Sequence, residues 1–331
     1  MMKDYYIDCS FKSREGLCFT DRKVELEKLL KLCEKGYHTP IVVYGPEGCG
    51  KTTLLNYLRH ILSRSKEFVV VYVDALQESV QEALKIVPEI DRREIMKMLE
   101  SLARMDIREI LVRVYDIVHI LITKLKLSKK KLVILIDDVY KCLGLENVDK
   151  YTKMLYELIG WKFRRELMLD SVLVLLTTSE GVSKRELLKH TYVNVYMLWN
   201  MSHNGFKLLY EQLRPEISFE DAWILTGGNP RALLELYEDN WNVDKYVRRI
   251  LQKVSVIIED LPKDRLRRLV EDPDSDVELA RVLEDRGLMI RLLRGELCLS
   301  EEPSPDRELG IGEKWAWKIP AYRLAIEKLC R

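Results

Sequence analysis

One eight-residue motif constrains the fold of this chain more than any other feature of its sequence. It reads Gly45-Pro46-Glu47-Gly48-Cys49-Gly50-Lys51-Thr52 and matches the pattern G-x-x-x-x-G-K-[ST] at every required position. The apolar run Ile41 to Tyr44 precedes it, and a helix-like run beginning at Thr53 follows it. A strand, a glycine-rich loop and a helix in this order are the setting of a phosphate-binding loop. The sequence therefore predicts a nucleoside triphosphate site, or descent from a protein that had one.

The residue types in this motif have separate roles in holding phosphate. Glycines let backbone N–H groups turn inward around an anion, and the N-terminus of the following helix adds partial positive charge. We expect the Lys51 ammonium to reach the β- and γ-phosphates and the Thr52 hydroxyl to ligate Mg²⁺. The predicted nucleotide contacts in this segment are Gly45, Pro46, Glu47, Gly48, Cys49, Gly50, Lys51, Thr52 and Thr53. An ordinary glycine-rich turn is the alternative interpretation.

Length, charge and cysteine content limit the protein classes open to this chain. Its 331 residues suffice for two or three domains. With 54 basic and 53 acidic side chains, the net charge of +1 creates no overall field for nucleic acid or membrane. No apolar run reaches the roughly eighteen residues of a membrane-spanning helix, and the first ten residues contain no apolar signal core. We therefore expect a cytoplasmic protein whose seven cysteines are mostly buried thiols, with a Cys9–Cys18 bridge left open.

Apolar runs of strand length alternate with helical patterns over the first 200 residues. Strands are predicted at Ile41–Tyr44, Phe68–Val73, Leu132–Ile136, Val172–Leu176 and, more weakly, Tyr192–Leu198. Helical patterns lie between them, including a long stretch from about residue 92 to 127 that is broken near residue 105. This alternation predicts an α/β fold with a mostly parallel sheet sandwiched by helices. Ligands of such sheets bind beyond the carboxyl ends of the strands.

Acidic and hydroxyl side chains follow two of the predicted strands. Asp137 ends one strand, where a carboxylate can hold Mg²⁺ opposite Thr52. Asp138 can orient or deprotonate the water that attacks the γ-phosphate, although a helix cap or a solvated acid in a turn is the alternative. Thr177, Thr178 and Ser179 end the next strand, and of these we expect Thr178 and Ser179 to contact the γ-phosphate or the attacking water. Three adjacent hydroxyls are equally typical of a plain exit from a strand.

The pattern becomes helical beyond about Asn200. Helices are predicted over Ser202–Leu213 and Phe219–Thr226, and Pro230 is expected in the first turn of a third helix. A helix ending at Gly287 precedes two short predicted strands, Met289–Leu293 and Glu296–Leu299, around an Arg294-Gly295 turn. This order is typical of the recognition helix and wing of a winged helix.

The order of these motifs resembles the AAA+ branch of P-loop ATPases, and within it the archaeal ATPase family of the STAND (signal-transduction ATPase) group. Phe19-Thr20-Asp21-Arg22 resembles that family's lead-in segment, Gly228-Asn229-Pro230 resembles its G-x-P element, and Trp315 to Tyr322 resembles its ending. The resemblance implies ATP or ADP with Mg²⁺ as ligands, with Phe19, Arg22 and Pro230 among the nucleotide-binding residues. It also implies a helical lid and a C-terminal winged-helix domain.

Two departures from the family pattern bear on turnover. The second acid is Asp138, where many AAA+ proteins have Glu, and the missing methylene withdraws the carboxylate by roughly 1.5 Å. The Gly-Arg pair that often precedes the next strand is replaced by His190-Thr191. Transition-state charge would then need another arginine, and such arginines contribute roughly 10³–10⁵ in rate. The candidates are Arg185, Arg164, Arg165 or a partner's arginine, and Arg231 can also face the phosphates. A solvated helix face is the alternative for Arg164 and Arg165.

The sequence thus predicts three domains: an ATP-binding domain over residues 1–200, a helical lid over 201–245 and a winged-helix-like domain over 246–331. We predict slow ATP hydrolysis to ADP and phosphate, used as a switch that controls macromolecule binding. A nucleotide-bound module that does not hydrolyse ATP is the alternative. The C-terminal partner is double-stranded DNA or protein: Arg265, Arg267, Arg268, Arg291 and Arg294 favour DNA, and the surrounding acidic residues oppose it. No membrane partner is expected, and an oligomer is left open.

Overall fold

A computed structural model describes residues 6–87, 106–124, 127, 129–179 and 181–331. Six strands in these ranges form one sheet: β3 (Ile41–Tyr44), β4 (Phe68–Asp74), β5 (Leu84–Val87), β6 (Lys131–Asp137), β7 (Ser171–Thr178) and β8 (Asn194–Met197). Every residue of β3, β4 and β7 is buried, so both faces of the sheet are covered. An α/β fold is therefore confirmed, and each strand predicted from an apolar run is present.

The sheet order is β5-β4-β6-β7-β3-β8. The pairs β3–β7, β6–β7 and β4–β6 are parallel, whereas the edge strand β5, which the sequence did not predict, is antiparallel to β4. Because β7 lies between β3 and β6, the carboxyl ends of three neighbouring strands are adjacent. Tyr44 is paired with Thr178, and Asp74 with Asp137. The polar residues that end these strands thus share one edge of the sheet, as predicted.

Helices connect the strands, in the places where the sequence showed helical patterns between the apolar runs. The helix that begins at Val148 continues as a π-helix over Leu158–Glu166. The helical stretch predicted over 92–127 lies partly outside the described residues. The helices in this part of the chain are Lys23–Lys35, Lys51–Leu62, Val80–Ala83, Ile107–Val112, Val114–Lys124, Val139–Leu143, Val148–Glu157 and Gly181–Leu187.

The chain divides into two compact units, and each unit is made of segments that are not consecutive in the sequence. One unit contains residues 1–24, 45–51 and 197–331, and the other contains residues 25–44 and 52–196. The motif loop therefore groups with the C-terminal part of the chain, whereas the strand before it and most of the helix after it group with the sheet. The three-domain division drawn from the sequence stays a prediction.

The first unit begins with a two-stranded antiparallel hairpin, β1 (Ile7–Lys12) and β2 (Cys18–Thr20). A disulfide joins Cys9 to Cys18 across the hairpin, so the bridge left open by the sequence is present. The helices of this unit are His203–Gln212, Phe219–Thr226, Pro230–Glu238, Val243–Ile257, Lys263–Glu271, Val277–Asp285 and Pro320–Cys330. Their apolar faces, together with Trp315 and Trp317, form one continuous core.

The predicted wing differs in its second strand. Strand β9 (Met289–Arg291) pairs antiparallel with β10 (Trp315–Trp317), whereas Gly295–Leu297 forms a 3₁₀ turn. The prediction of a strand over 296–299 was therefore wrong. The arginine of the expected turn explains the difference, because Arg294 donates to the carbonyls of Pro303, Gly312 and Glu313 and so fixes a long loop. Among the described residues, no helix is both long and apolar enough to cross a membrane.

Candidate nucleotide site

The motif loop has the backbone shape that its glycines allow. Gly48 and Gly50 have φ angles of +81° and +99°, a region that L side chains rarely adopt. A Cβ on Gly45 would lie 2.1 Å from the carbonyl oxygen of Leu198. A side chain is thus excluded at Gly45 by contact and disfavoured at Gly48 and Gly50 by backbone angle.

Lys51 is buried within the loop unit. Its Nζ donates to the carbonyl oxygens of Gly45 and Pro46, each at 3.0 Å. The Cys49 sulfur lies 3.9 Å from the same nitrogen. These contacts hold the ammonium inside the curve of the loop, because a buried cation needs polar partners. An oligophosphate held by the loop would take over as the partner of this charge.

The lead-in segment supports the loop from the side. Arg22 is 5% exposed, and its guanidinium donates to the Cys49 carbonyl oxygen at 2.7 Å. Phe19 is also buried, with its ring edge-on to Phe11 and the ring centroids 6.2 Å apart. Both residues were predicted to bind nucleotide. Arg22 contacts the loop backbone and Phe19 packs in the hairpin, and their contact with nucleotide stays a prediction.

The helix that begins at Pro230 touches the loop through the two residues beside the proline. Asn229 caps this helix by accepting the Ala232 N–H, and its Nδ2 donates to the Glu47 carbonyl oxygen at 3.0 Å. The Arg231 N–H donates to the Gly48 carbonyl oxygen at 3.3 Å, and its guanidinium pairs with the Glu47 carboxylate at 2.8 Å. Pro230 itself is half-buried in the first helical turn, as predicted from its missing N–H. Its packing against adenine stays a prediction.

Asp137 lies at the carboxyl end of β6 in the sheet unit and is only 2% exposed. Thr177 donates to its Oδ1 at 2.5 Å, Tyr72 donates to its Oδ2 at 3.4 Å, and the Thr52 hydroxyl also hydrogen-bonds it. Burial raises the pKa of Asp137 above its usual range. The hydrogen bonds from Thr177 and Thr52 lower that pKa, and the neighbouring charges of Asp138 and Asp74 raise it.

Asp138 adopts the left-handed conformation, with φ +52° and ψ +34°. Its N–H donates to the Thr177 hydroxyl oxygen at 2.9 Å, and its carboxylate lies 3.8 Å from the Lys141 ammonium. This conformation turns the chain out of β6 into the helix Val139–Leu143. The predicted alternative, a side-chain cap of that helix, is not made, because no cap hydrogen bond comes from the Asp138 side chain.

Thr178 ends β7 and Ser179 follows it, and they are 2% and 8% exposed. Thr178 pairs with Tyr44 at the end of the strand that leads into the motif loop. Both were predicted as sensors of the γ-phosphate, and these roles stay predictions. The hydroxyl of their neighbour Thr177, which is fully buried, contacts both Asp137 and Asp138.

Thr177 and Asn229 are among the residues with direct contacts to the predicted site residues whose roles sequence reasoning missed. Thr177 was one of three adjacent hydroxyls, and the register of β6 against β7 decides which of them faces Asp137. Asn229 was noted only as the middle residue of the G-x-P element, although an Asn before a helix-starting Pro already indicates a cap. Its second contact, to the Glu47 carbonyl oxygen, depends on tertiary structure.

The candidate arginines lie in different surroundings. Arg164 and Arg165 are exposed on the π-helix, and the Arg165 guanidinium lies 4.5 Å from the centre of the Trp161 ring. Arg231 pairs with Glu47 beside the loop, and both side chains are 56% exposed. Arg231 thus contacts Glu47, a predicted nucleotide residue of the loop.

The donor sets fit a nucleotide with a hard divalent cation. In the sheet unit, a buried carboxylate and a hydroxyl lie within hydrogen-bond distance of each other at Asp137 and Thr52. Oxygen ligands of this kind, completed by water and phosphate oxygens, suit Mg²⁺. In the loop unit, the ammonium of the buried Lys51 lies against the carbonyl oxygens of Gly45 and Pro46. Lys51 and Thr52 are consecutive residues, so the two sets follow each other directly along the chain.

Comparison with known proteins assigns the chain to a family, and the matched range includes the loop and strand-end residues described above. Residues 19–236 match the family described as an ATPase domain predominantly from Archaea, and this range is more than half of the chain. The chain belongs to this family. The predicted recognition of an archaeal ATPase family of P-loop proteins is thereby confirmed, and with it a nucleotide-binding ATPase at a coarse level. No curated protein sequence matches the chain.

Two solved structures are similar at low identity. AMPPCP-bound DnaA from Aquifex aeolicus is 17% identical, with a TM-score of 0.39, 76% of this chain covered and 70% of that chain covered. The ORC2 protein of Aeropyrum pernix, in ADPNP–ADP complexes, is 14% identical, with a TM-score of 0.45, 86% of this chain covered and 79% of that chain covered. Because both TM-scores are below 0.5, neither likeness supports a conclusion about this chain.

Proposed function

We propose that this member of the archaeal ATPase family is an AAA+/STAND-type switch that binds ATP with Mg²⁺, hydrolyses it slowly and thereby changes how its C-terminal region engages another macromolecule. The observation that carries the proposal is the direct contact of the phosphate loop with the helix Pro230–Glu238. Asn229 and Arg231 both bind the loop backbone, at Glu47 and Gly48. We therefore expect a ligand that moves this loop to move that helix as well.

The loop residues would hold the triphosphate, and the sheet residues would hold the cation. Lys51 would exchange its two carbonyl partners for phosphate oxygens, and the backbone N–H groups of the loop would surround the β-phosphate. Thr52 and Asp137 would hold Mg²⁺, which supplies charge neutralisation for the departing phosphate. The fixed hydrogen bond from Thr177 supports this role of Asp137, since outer partners orient a metal-binding carboxylate.

Asp138 would orient the attacking water. The left-handed backbone supports this role, because strained residues persist mainly where the surrounding structure imposes them, and they concentrate at functional sites. Slow turnover is proposed because Asp is shorter than Glu at this position and because the Gly-Arg pair of the family pattern is absent. A slow step suits a switch, whose state must last long enough to be recognised by a partner.

The C-terminal partner is proposed to be a protein that docks on a winged-helix-like domain. The helix Val277–Asp285 exposes Val277 and Val282 beside Glu278, Arg281 and Asp285. Its exposed face therefore has more acidic than basic side chains, which disfavours DNA phosphates. Three of the arginines that favoured DNA are paired within the chain: Arg265 with Asp276, Arg267 with Asp264, and Arg294 with Glu302.

Single-turnover hydrolysis of radiolabelled ATP, with the full chain in excess, tests the enzymatic part. We expect Mg²⁺-dependent release of one phosphate, nearly abolished in Lys51→Ala and reduced at least about a hundredfold in Asp138→Asn. Equal release by wild type and both variants would remove the enzyme from the proposal. ATP binding without any release would leave the alternative, a nucleotide-bound module that does not hydrolyse.

A further inference from the structure

Two buried asparagines connect the phosphate loop to the start of the last helix. Asn229 Nδ2 donates to the Glu47 carbonyl oxygen at 3.0 Å and to Asn200 Oδ1 at 2.9 Å. Asn200 Nδ2 in turn donates to the Lys318 carbonyl oxygen at 3.0 Å. The two side chains are 1% and 4% exposed, and all four residues belong to one compact unit. We call the Asn229–Asn200 pair the amide relay.

Only an amide side chain can make all the contacts of Asn229. Its Oδ1 accepts the Ala232 N–H at 3.1 Å and so caps the helix Pro230–Glu238, while both Nδ2 hydrogens are used toward Glu47 and Asn200. Asp or Ser would serve equally well as a cap. Neither has two hydrogens to donate, so helix capping alone does not require Asn at this position.

The turn that carries Asn229 is enclosed on two further sides. A Cβ on Gly227 would lie 2.6 Å from Pro320 Cδ, and a Cβ on Gly228 would lie 2.5 Å from the Met201 carbonyl oxygen. The Met201 N–H also donates to the Gly228 carbonyl oxygen at 2.9 Å. Because Pro320 begins the last helix, the turn is packed against the same junction that Asn200 reaches through Lys318. A movement of this turn would therefore also displace that junction.

We propose that Asn229 is a positioning residue for the phosphate loop, and that the amide relay couples the loop to the junction of β10 with the last helix. The inference rests on the proposed nucleotide switch and names the residues that would transmit it. Coupling between two sites is reciprocal in free energy. Nucleotide at the loop would therefore stabilise the hydrogen bonds at Lys318, and a partner bound near that junction would change nucleotide affinity.

Substitutions to Asp separate positioning from capping. Asn229→Asp keeps the cap acceptor but removes both donors and sets a carboxylate against the Glu47 carbonyl oxygen. We expect ATP affinity of the full chain, measured by calorimetry, to fall about tenfold or more. Asn242→Asp is the matched control, because Asn242 caps the helix Val243–Ile257 through Lys245 from an exposed position. This control is expected to bind ATP within about twofold of wild type.

Asn200→Asp tests the second half of the relay. It keeps the acceptor for Asn229 and removes the donor to Lys318. Hydrogen exchange of the Trp317 and Lys318 amides, whose partners are the carbonyls of Gly310 and Leu288, reports on the junction. In wild type we expect ATP to slow exchange there about tenfold. In Asn200→Asp, we expect ATP binding within about threefold of wild type and no slowing at these two amides.

The outcomes distinguish this inference from the proposed function. Should wild type bind ATP while exchange at Trp317 and Lys318 stays unchanged, the coupling is wrong and the nucleotide site stands. If wild type binds no nucleotide, the proposed function fails first. Asn229→Ser, which keeps a cap without adding charge, covers the case in which Asn229→Asp does not fold. Unaltered ATP affinity in Asn229→Ser would overturn the positioning role.

Discussion

Thr177 donates to Asp137 Oδ1 at 2.5 Å and accepts the N–H of Asp138 at 2.9 Å, so one buried hydroxyl fixes both consecutive acids at the end of β6. This arrangement follows from the register of β7 against β6, which sets Thr177 beside Asp137. The acid proposed for the metal and the acid proposed for the water therefore depend on the same side chain.

Thr177→Val should weaken Mg²⁺ binding and have only a smaller effect on the stability of the fold. Valine keeps the shape but cannot donate to Asp137, so the carboxylate loses its orientation. We expect the Mg²⁺ concentration needed for half-maximal ATP hydrolysis to rise about 10–100-fold, as for other outer partners of metal-binding groups. Thr152→Val is the control, since Thr152 is also buried and bonded but on the helix Val148–Glu157. Equal Mg²⁺ requirements in the two variants would contradict the role of Thr177.

Asp137→Asn should stabilise the nucleotide-free protein near neutral pH. Burial raises the pKa of Asp137, so the folded state binds its proton more tightly than the unfolded state, and ionisation of this group opposes folding. Its unfavourable contribution begins as pH rises above the ordinary aspartate pKa of the unfolded chain and is complete above the raised pKa, and a neutral amide removes it. Urea unfolding without metal, compared at neutral and at acidic pH, should show the variant gaining stability only at the higher pH. A loss of stability in Asp137→Asn at neutral pH would show that the ionised Asp137 carboxylate does not destabilise the folded protein there.

The same raised pKa predicts how Mg²⁺ binding depends on pH. A carboxyl must lose its proton before it binds a cation, so protonation competes with Mg²⁺. Because burial raises the pKa, this competition begins at a higher pH than for an ordinary aspartate, whose pKa is about 3.9. The shift in melting temperature caused by Mg²⁺ with ATP should shrink as pH falls toward the raised value. In Asp137→Asn, the Mg²⁺-dependent part should be small at every pH, and a wild-type-sized shift would refute this assignment.

Gly48→Ala should disrupt the contact between the phosphate loop and the helix Pro230–Glu238. The new Cβ would lie 2.4 Å from Arg231 Cβ, and the backbone has φ +81°. Gly16→Ala separates the two effects, because Gly16 has φ +78° but a Cβ added there would have no neighbouring atom within 4 Å. We expect about 1–2 kcal/mol of destabilisation from the backbone angle in both variants. Only Gly48→Ala should lose more than this and also bind ATP weakly.

Asp274→Ala should loosen the loop between β9 and β10. The carboxylate of Asp274 accepts the backbone N–H groups of Glu313, Lys314 and Trp315 at 2.6 to 3.2 Å. Removing these acceptors should cost about 1–3 kcal/mol of unfolding free energy in urea. The exposed Glu259→Ala substitution is the control and should change it by less than about 0.5 kcal/mol. Stability equal to that control would show that water replaces the carboxylate without loss.

The parts of the fold with strong local signals could be predicted from the sequence. The apolar runs that became β3, β4, β6 and β7 are long enough to identify buried strands, and Pro230 marked a helix start within one residue. The edge strand β5 has a short, mixed pattern, and its existence depends on pairing with β4. The β9 partner was misplaced because Trp315–Trp317 lies more than twenty residues away along the chain, and pairing at that distance leaves no local trace.

The sequence was sufficient to predict the types of residue in the candidate site, but not which residues contact one another. The phosphate loop, Asp137 and the hydroxyl group at the end of β7 all follow from motif and strand order. The choice of Thr177 among three hydroxyls needs the strand register, and the double use of Asn229 needs the loop and the helix Pro230–Glu238 in one unit. Arg294 appeared suited to DNA by its charge. Its bonds to three carbonyls and to Glu302 became apparent only in the folded chain.

The most direct test of the account is ATP binding by the well-folded full chain, measured by calorimetry with Mg²⁺ and repeated with Lys51→Ala. We expect saturable binding to one site, and stabilisation of the folded chain by about 2.7 kcal/mol at a hundredfold excess of ligand over Kd. Both effects should be lost or strongly reduced in Lys51→Ala. Failure of folded wild type to bind adenine or guanine triphosphates, or identical binding by Lys51→Ala, would contradict it.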